Sequence, residues 1–222
     1  MPASPQTTLR RSRERELIVA TRALFDERGM LEAPIEEIAQ AVGIARGLIY
    51  RQFASKEELF VLTVTDYLAE LQEVLDEAVP VRAKPVTQLE RGIAAYADFC
   101  LRYPAFLDIS LSLMQRPARE LREAISESVW LRLGQGMAGC IDHLIRVLRA
   151  GASDGAFDVD DPEYMANILW TQVLGAMHLA RIRVGLRQAA PGIPELFTVP
   201  PEQVARTCVE SALATVGARR RP

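Results

Sequence analysis

"GIARGLIYRQFASKEELF", residues 43–60, decides how the chain is read. If its centre is a short helix starting near Arg46, successive residues turn by about 100°. Ile49 and Phe53 then share one face, and Gly47, Leu48, Tyr50 and Arg51 are left on the other. Just upstream, "PIEEIAQAV" at 34–42 has helical spacing from Pro34, with Ile35, Ile38, Ala39 and Val42 inward. Only Gly43, Ile44 and Ala45 separate the two helices. That is the spacing of a helix-turn-helix, whose second helix lies in the major groove. A lone exposed leucine or tyrosine is ordinary. Grouped with a glycine and two arginines, they supply what a groove needs: close approach, apolar contact with a thymine methyl, guanidinium groups for guanine or phosphate, and a hydroxyl for the backbone.

Outward from this stretch, the chain keeps a helical period. Ser12 is a usable N-cap for a helix through Leu17, Ile18, Ala20, Leu24 and Phe25 to Gly29. Ser55-Lys56-Glu57-Glu58 forms a capping box that opens a long helix with Leu59, Phe60, Val64, Tyr67, Leu68, Leu71 and Leu75 inward. Further helices are predicted near 86–102, 104–115, 117–149, 162–187 and 201–217, parted by Tyr103-Pro104, Arg116-Pro117, "GASDGAFDVDDP" and "APGIPELFTVPP". No segment alternates convincingly as a strand. The expectation is an all-α chain of about nine helices, with residues 1–9 a disordered arm and 218–222 a frayed basic tail.

The chain has 222 residues, 49% hydrophobic and 25% charged, which suits a folded globular protein. It has no apolar run of membrane-spanning length, and "MPASPQTTLRRSRERE" leads into no apolar segment, so neither a membrane nor a signal peptide is expected. Cytoplasmic residence follows as the expectation. Cys100, Cys140 and Cys208 are odd in number and far apart, which fits reduced thiols. The net charge of −3 does not point to nucleic acid, but four arginines fall within residues 10–15 and basic residues recur at 46, 51 and 56. Such patches suit phosphate contact.

"ERELIVATRALFDERG" (14–29) and "IEEIAQAVGIARGLIYRQFASKEELF" (35–60) together resemble the DNA-binding domain of the tetracycline-repressor (TetR) type of bacterial regulator, over about residues 10–60. Ala20, Phe25, Gly29, Ile38-Ala39, Gly43, Gly47, Tyr50, Phe53, Lys56 and Leu59 carry the spacing. The resemblance implies a DNA-binding domain at 10–54, with its motif at 34–53, joined by a long helix to an effector-binding and dimerisation bundle at 55–217. It implies that Arg46, Gly47 and Leu48 approach base edges, that Tyr50 and Lys56 hold phosphates, and that Ile38, Ile49 and Phe53 are the motif's core. Arg51 and Gln52 complete the DNA-facing set; Gln52 stands where histidine is common and can still donate to phosphate. Ala33-Pro34 and Ala45 depart from the usual Ser or Thr, removing two caps worth about 1 kcal/mol each. Leu48, where threonine is frequent, is expected to make a thymine-directed apolar contact.

The segment 162–187 is apolar on two stripes, Met165, Leu169, Val173, Ala176 and Trp170, Leu174, Met177, Ile182. One is expected to face the chain's own core and the other a second copy, with 201–217 sharing the surface, as in the family's four-helix dimer interface. A dimer reads a palindrome with half-sites ~34–36 Å apart. The resemblance also implies a cavity in the bundle, for which Tyr96, Phe99, Phe106, Leu111, Met114, Trp130, Met137, Trp170 and Met177 are suitable lining. Such residues are more often simply core. Few charges fall among them, so a small apolar or aromatic effector is expected.

Other motifs weigh less. "GQGMAG" (134–139) fits a dinucleotide pattern, yet Leu121, Ile125, Val129, Leu133, Met137, Ile141, Leu144 and Leu148 keep helical spacing through it. "GASDG" (151–155) lacks the preceding strand that a nucleophile elbow needs. Cys140 and His143 have no second ligand pair. His178 lies among Met177 and Leu179 as a core or pocket residue. The alternative, a helical enzyme or a nucleotide- or metal-binding protein using Gly134–Gly139 or Cys140/His143, is therefore outweighed. The expected protein is a ligand-released repressor that binds a palindromic operator as a homodimer, not an enzyme, with no cofactor or metal.

Overall fold

Residues 5–29 and 34–218 are described in a computed structural model. Ten helices and one hairpin occur among them: α1 (Pro5–Arg28), α2 (Ile35–Val42), α3 (Arg46–Gln52), α4 (Lys56–Ala78), α5 (Pro85–Arg102), α6 (Pro104–Met114), α7 (Ala118–Ala124), α8 (Glu127–Ser153), α9 (Pro162–Ile182), strands β1 (Val184–Ala190) and β2 (Ile193–Thr198), and α10 (Pro201–Thr215). Helix α1 starts at Pro5, ahead of Ser12, so residues 5–9 are helical and not a disordered arm. Proline suits a first helical turn and nothing before Ser12 breaks the helix. Residues 1–4, Ala33 and 219–222 lie outside the described residues. Pro34 is the N-cap of α2, one position before the helix proper, and its carbonyl accepts from Glu37 N at 3.0 Å.

The chain forms two compact units. One holds the chain up to Ala69 together with Asp108–Gly136, and the other Glu70–Leu107 together with the chain from Met137 onward. Long helices are shared out between them by sequence, so the units do not divide at 54/55.

In the first unit α1 packs on α2 and α2 on α3. Leu17, Phe25, Ile38, Ile49, Phe53, Leu59 and Leu62 are all buried. The Tyr67 hydroxyl donates to Asp26 Oδ1 at 2.6 Å, and the Arg22 guanidinium lies 4.1 Å from its ring and donates to Asp66 at 2.8 Å. The expected single helix at 117–149 breaks here: Ile125 is extended and Ser126 directly precedes α8, its carbonyl accepting from Val129 N and Trp130 N. Leu121, Ile125, Val129 and Leu133 remain buried, so the apolar period survives the break.

In the second unit α9 packs on both α5 and α10, and α10 packs on α5. Contact on two sides widens the covered arc of α9, so Leu169, Val173, Trp170, Leu174 and Met177 from both expected stripes are buried together. The expectation that one stripe faces a second copy is thereby corrected. The outward apolar residues are Tyr164, Ile168, Leu179 and Ile182 instead. The helix also ends at Ile182 rather than 187, at Arg183 in the left-handed region (φ 57°), and an antiparallel hairpin follows where no strand was expected. Pro191-Gly192, with Gly192 at φ 78°, turns it.

The motif-bearing glycines are helical except Gly155, which turns at φ 67° after α8. Gly134, Gly136 and Gly139 lie inside α8, with no strand before them. Gly151 lies in its last turn, where an added Cβ would sit 2.0 Å from Cδ2 of the buried Phe157 ring. Gly151→Ala gains ~1 kcal/mol of helix propensity and loses more by overpacking, so a net destabilisation of ~1–2 kcal/mol is expected in urea denaturation. A midpoint equal to or above that of the parent protein would show that the ring yields freely.

Candidate functional site

A seven-residue helix such as α3 cannot hold itself together in water. It is placed by its ends and one face. Gly43 adopts φ 71°, which lets its N–H reach Gln40 O at 3.0 Å and Ile44 N reach Ala39 O at 2.9 Å, turning the chain sharply between α2 and α3. Ala45 caps α3 in an extended conformation with no side-chain bond, as the missing Ser or Thr predicts. Ile49 and Phe53 are 1% and 2% exposed. Arg46, Gly47, Tyr50 and Arg51 are exposed on the remaining surface, with Leu48 half-buried beside them. A Cβ on Gly47 would meet nothing within 4 Å, so this position is open to an approaching surface.

The polar groups around α3 are poised and not all idle. Arg46 pairs with Glu36 of α2, and its guanidinium lies 5.5 Å from the Tyr50 ring. The hydrogen bond to Tyr50, followed by the charge of Glu36, holds the Arg46 pKa above its usual value. The cation is permanent and can exchange Glu36 for a phosphate or a guanine edge. Gln52 Nε2 donates to Arg10 O at 3.2 Å, which ties α3 to α1 and leaves its second amide hydrogen available. Lys56 Nζ lies 4.8 Å over the Phe60 ring, on the rim of a cleft of about 220 Å³ lined also by Glu57, Ile109, Ser112, Leu113 and Arg116.

The capping box at Ser55 is used differently from its pattern. Ser55 Oγ accepts from Glu58 N at 3.0 Å as expected, but it also donates to Ala124 O at 2.7 Å. Glu58 does not reach back to Ser55 N; its buried carboxylate accepts from Ser126 N at 2.9 Å. Two side chains at the start of α4 therefore satisfy the end of α7 and the start of α8, which fixes the turn from which Lys56 projects.

The nine expected effector-lining residues do not converge on one pocket. Tyr96 and Trp170 do meet, with rings stacked 4.3 Å apart at 20°, and both line a small cavity of about 10 Å³. Phe99 and Phe106 pack edge-on at 5.2 Å in the core of the same unit, and Met177 is buried there without lining the cavity. Met137 is 38% exposed, while Leu111, Met114 and Trp130 belong to the first unit, with Met114 51% exposed. The rest of the lining, including Leu75, Val79, Leu89, Ile93, Leu144 and Val147, reads in sequence as ordinary core stripe. Only their assembly around Tyr96 distinguishes them.

Two polar features of this cavity matter. The Tyr96 hydroxyl is fully buried and meets no hydrogen-bonding partner among the described residues. Burial, then the nearby Cys100, Cys140 and Cys208, push its pKa well up, so it stays a neutral donor and acceptor. His143, 8% exposed, has its pKa lowered by burial first and by Arg146 second, against the opposing pull of Asp76 at 3.4 Å. Burial pushes the Cys140 thiol up to about 12, so it is not a poised nucleophile. No group of three or more His, Cys, Asp or Glu side chains that could hold a metal ion forms among the described residues. No helix among them is long and apolar enough to cross a membrane.

Comparison with known proteins bears on the same residues. The family model described as "Bacterial regulatory proteins, tetR family" matches residues 17–62. The chain is 34% identical over 149 residues to the HTH-type transcriptional repressor KstR2 of Mycobacterium tuberculosis, covering 67% of this chain and 71% of that protein. Its fold is similar to that of RolR in complex with the ligand resorcinol (TM-score 0.61, 18% identity, 96% of this chain and 91% of that one). It is similar also to that of the transcriptional regulator FadR from Bacillus subtilis in complex with stearoyl-CoA (TM-score 0.63, 14% identity, 90% and 97% covered).

Two measurements check this geometry. Glu58→Ala leaves the Ser126 N–H without its acceptor and is expected to destabilise the protein by ~1–3 kcal/mol, with Glu58→Gln recovering most of that because its amide oxygen still accepts. Equal melting temperatures for all three proteins would exclude the link. His143 binds its proton less readily folded than unfolded, so the unfolded chain takes up more protons as pH falls through about 6.5 and stability drops. His143→Gln is expected to flatten the loss of unfolding free energy on the acid side of that value.

Proposed function

Because the chain belongs to the tetR family of bacterial regulatory proteins, and is thus a DNA-binding transcriptional regulator and not an enzyme, we propose that it is a ligand-released repressor acting as a homodimer on a palindromic operator. The observation that carries this is the division of α3, with Ile49 and Phe53 buried and Arg46, Gly47, Leu48, Tyr50 and Arg51 turned outward. Arg46, Gly47 and Leu48 face the base edges, where Gly47 lets the backbone come close and Leu48 meets a thymine methyl. Tyr50, Arg51, Lys56 and the free amide hydrogen of Gln52 bind phosphates and set the register.

One helix of this length reads too few base pairs, which favours two copies related by a two-fold axis. Support for α9 as the pairing surface comes from its outward Tyr164, Ile168, Leu179 and Ile182, interrupted by Gly175, where a Cβ would meet nothing within 4 Å. The shorter α10 presents mostly polar residues outward and plays the lesser part.

The effector site is the cavity at Tyr96 and Trp170. Its aliphatic walls and the unpartnered Tyr96 hydroxyl suit a small apolar or aromatic molecule carrying one hydrogen-bonding group. RolR with resorcinol is a relative in fold whose ligand is also a small aromatic molecule with hydroxyl groups. At about 10 Å³ the cavity has room for roughly one water, so its walls must part to admit the effector. A ligand that binds only the widened form shifts the population toward it, and repression ends if that form fits the operator poorly.

Selection of bound duplexes from a random pool, followed by anisotropy titrations, tests the reading. Binding is expected to weaken steeply between ~50 and ~200 mM salt, and Arg46→Ala with Tyr50→Phe to weaken it by ~10-fold or more with a shallower salt slope. An unchanged affinity for the selected duplex sinks the assignment of α3. For the effector, aromatic ligands that release the duplex should quench Trp170 emission, and Tyr96→Phe should weaken them by ~5–10-fold through the lost hydrogen bond without changing operator affinity.

A further inference from the structure

The β1–β2 hairpin is two-faced. Side chains alternate along a strand, and the register pairs Val184 with Thr198, Leu186 with Leu196 and Gln188 with Pro194 on one face, and Gly185 with Phe197 and Arg187 with Glu195 on the other. The second face is partly covered by its own side chains, with Phe197 40% exposed. The Phe197 ring lies over Gly185, where an added Cβ would come within 2.4 Å of it. The Arg187 guanidinium sits 5.8 Å from that ring, and Arg187 Nε donates to Glu195 Oε2 at 2.8 Å. The first face is aliphatic and open: Leu186 and Leu196 are each 69% exposed and Val184 is 44% exposed.

A two-stranded ribbon is marginal in water by itself, and one with an uncovered aliphatic face needs a surface to lie on. The base of this one is fixed. Arg183, the sole non-glycine residue with positive φ among the described residues, donates its N–H to Leu179 O at 3.0 Å and accepts Val199 N at 3.0 Å. The hairpin therefore leaves α9 in a set direction and returns to α10. Ile182, the last outward residue of α9, is followed after one residue by Val184 on the open face, so the apolar row of α9 continues onto the hairpin.

From this continuity we infer that the open face of the hairpin docks on a second copy of the chain, as an arm that extends the α9 dimer interface. The inference rests on the homodimer proposed above. An aliphatic face beside the paired Arg187 and Glu195 suits a self-complementary contact across a two-fold axis. The residues paired on this face include no charged side chain.

Sedimentation equilibrium from nanomolar to micromolar protein tests it. Leu186→Asp and Leu196→Asp are each expected to raise the dimer Kd by ~100-fold or more, because each substitution acts twice at a two-fold interface. Val81→Asp, which alters a side chain 89% exposed in the α4–α5 segment, should leave it within about threefold. In the unaltered protein, amide exchange across residues 184–198 should slow as rising concentration carries monomer into dimer. Parent-like dimerisation by both Leu variants overturns the arm, as does exchange that ignores concentration. Flotation of the protein with phosphatidylglycerol vesicles, lost in Leu186→Asp while the dimer Kd holds, overturns it too, in favour of a lipid surface. A monomeric parent protein at micromolar concentration overturns both the arm and the homodimer, whereas a tight dimer indifferent to both Leu variants removes the arm alone.

Discussion

The burial of Ile49 and Phe53 is the constraint on which the outward surface of α3 depends. Seven residues without a side-chain cap have no intrinsic reason to stay helical, so α3 exists because one face is held by the first unit's core and the glycine turn fixes its start. Everything functional on the other face follows by rotation. Arg46, Gly47, Leu48 and Tyr50 point outward because Ile49 and Phe53 cannot. Fixing the far end takes more than packing: Ser55 and Glu58 satisfy backbone groups at Ala124 and Ser126, so the polypeptide immediately after α3 is tied to a segment some seventy residues on.

Paired charges keep this surface from being simply basic. Arg46 with Glu36 and Arg28 with Glu37 are exposed pairs of modest worth in water. Their use lies in orientation and exchange. An arginine held in place by a carboxylate and an aromatic ring is already extended when a phosphate or base arrives, and less side-chain freedom is lost on binding. The first sixty residues can thus be neutral in net charge and still present cations where DNA would lie.

In the second unit, chemistry is concentrated where packing leaves something unfinished. The Tyr96 hydroxyl is buried without a partner among the described residues, in a cavity walled mostly by apolar side chains. The hairpin's open face prolongs the outward apolar row of α9. One calls for a small molecule with a single polar group and the other for a second protein surface, and both lie outside the segments that sequence motifs such as "GQGMAG" and "GASDG" made conspicuous.

How much was legible depended on whether the determining physics was local. Helical period, the Gly43 turn, the absent cap at Ala45 and the inward Ile49 and Phe53 are set by neighbours within a few residues, so the sequence alone determined the helix-turn-helix and the outward set on α3. The period at 117–149 hid a break because Leu121, Ile125 and Val129 stay buried on either side of it, although Ser126 before Glu127 was a readable cap. Val184, Leu186, Ile193 and Leu196 around Pro191-Gly192 were a readable hairpin, masked by helix-favouring alanines and arginines. Other outcomes had no local signal. Which faces of α9 are covered depends on α5 and α10 packing on two sides of it, and which of nine apolar residues share a cavity depends on how distant helices meet. Only the tertiary structure decides these, because a side chain's burial is a property of what packs against it, and its own sequence neighbours do not specify that partner.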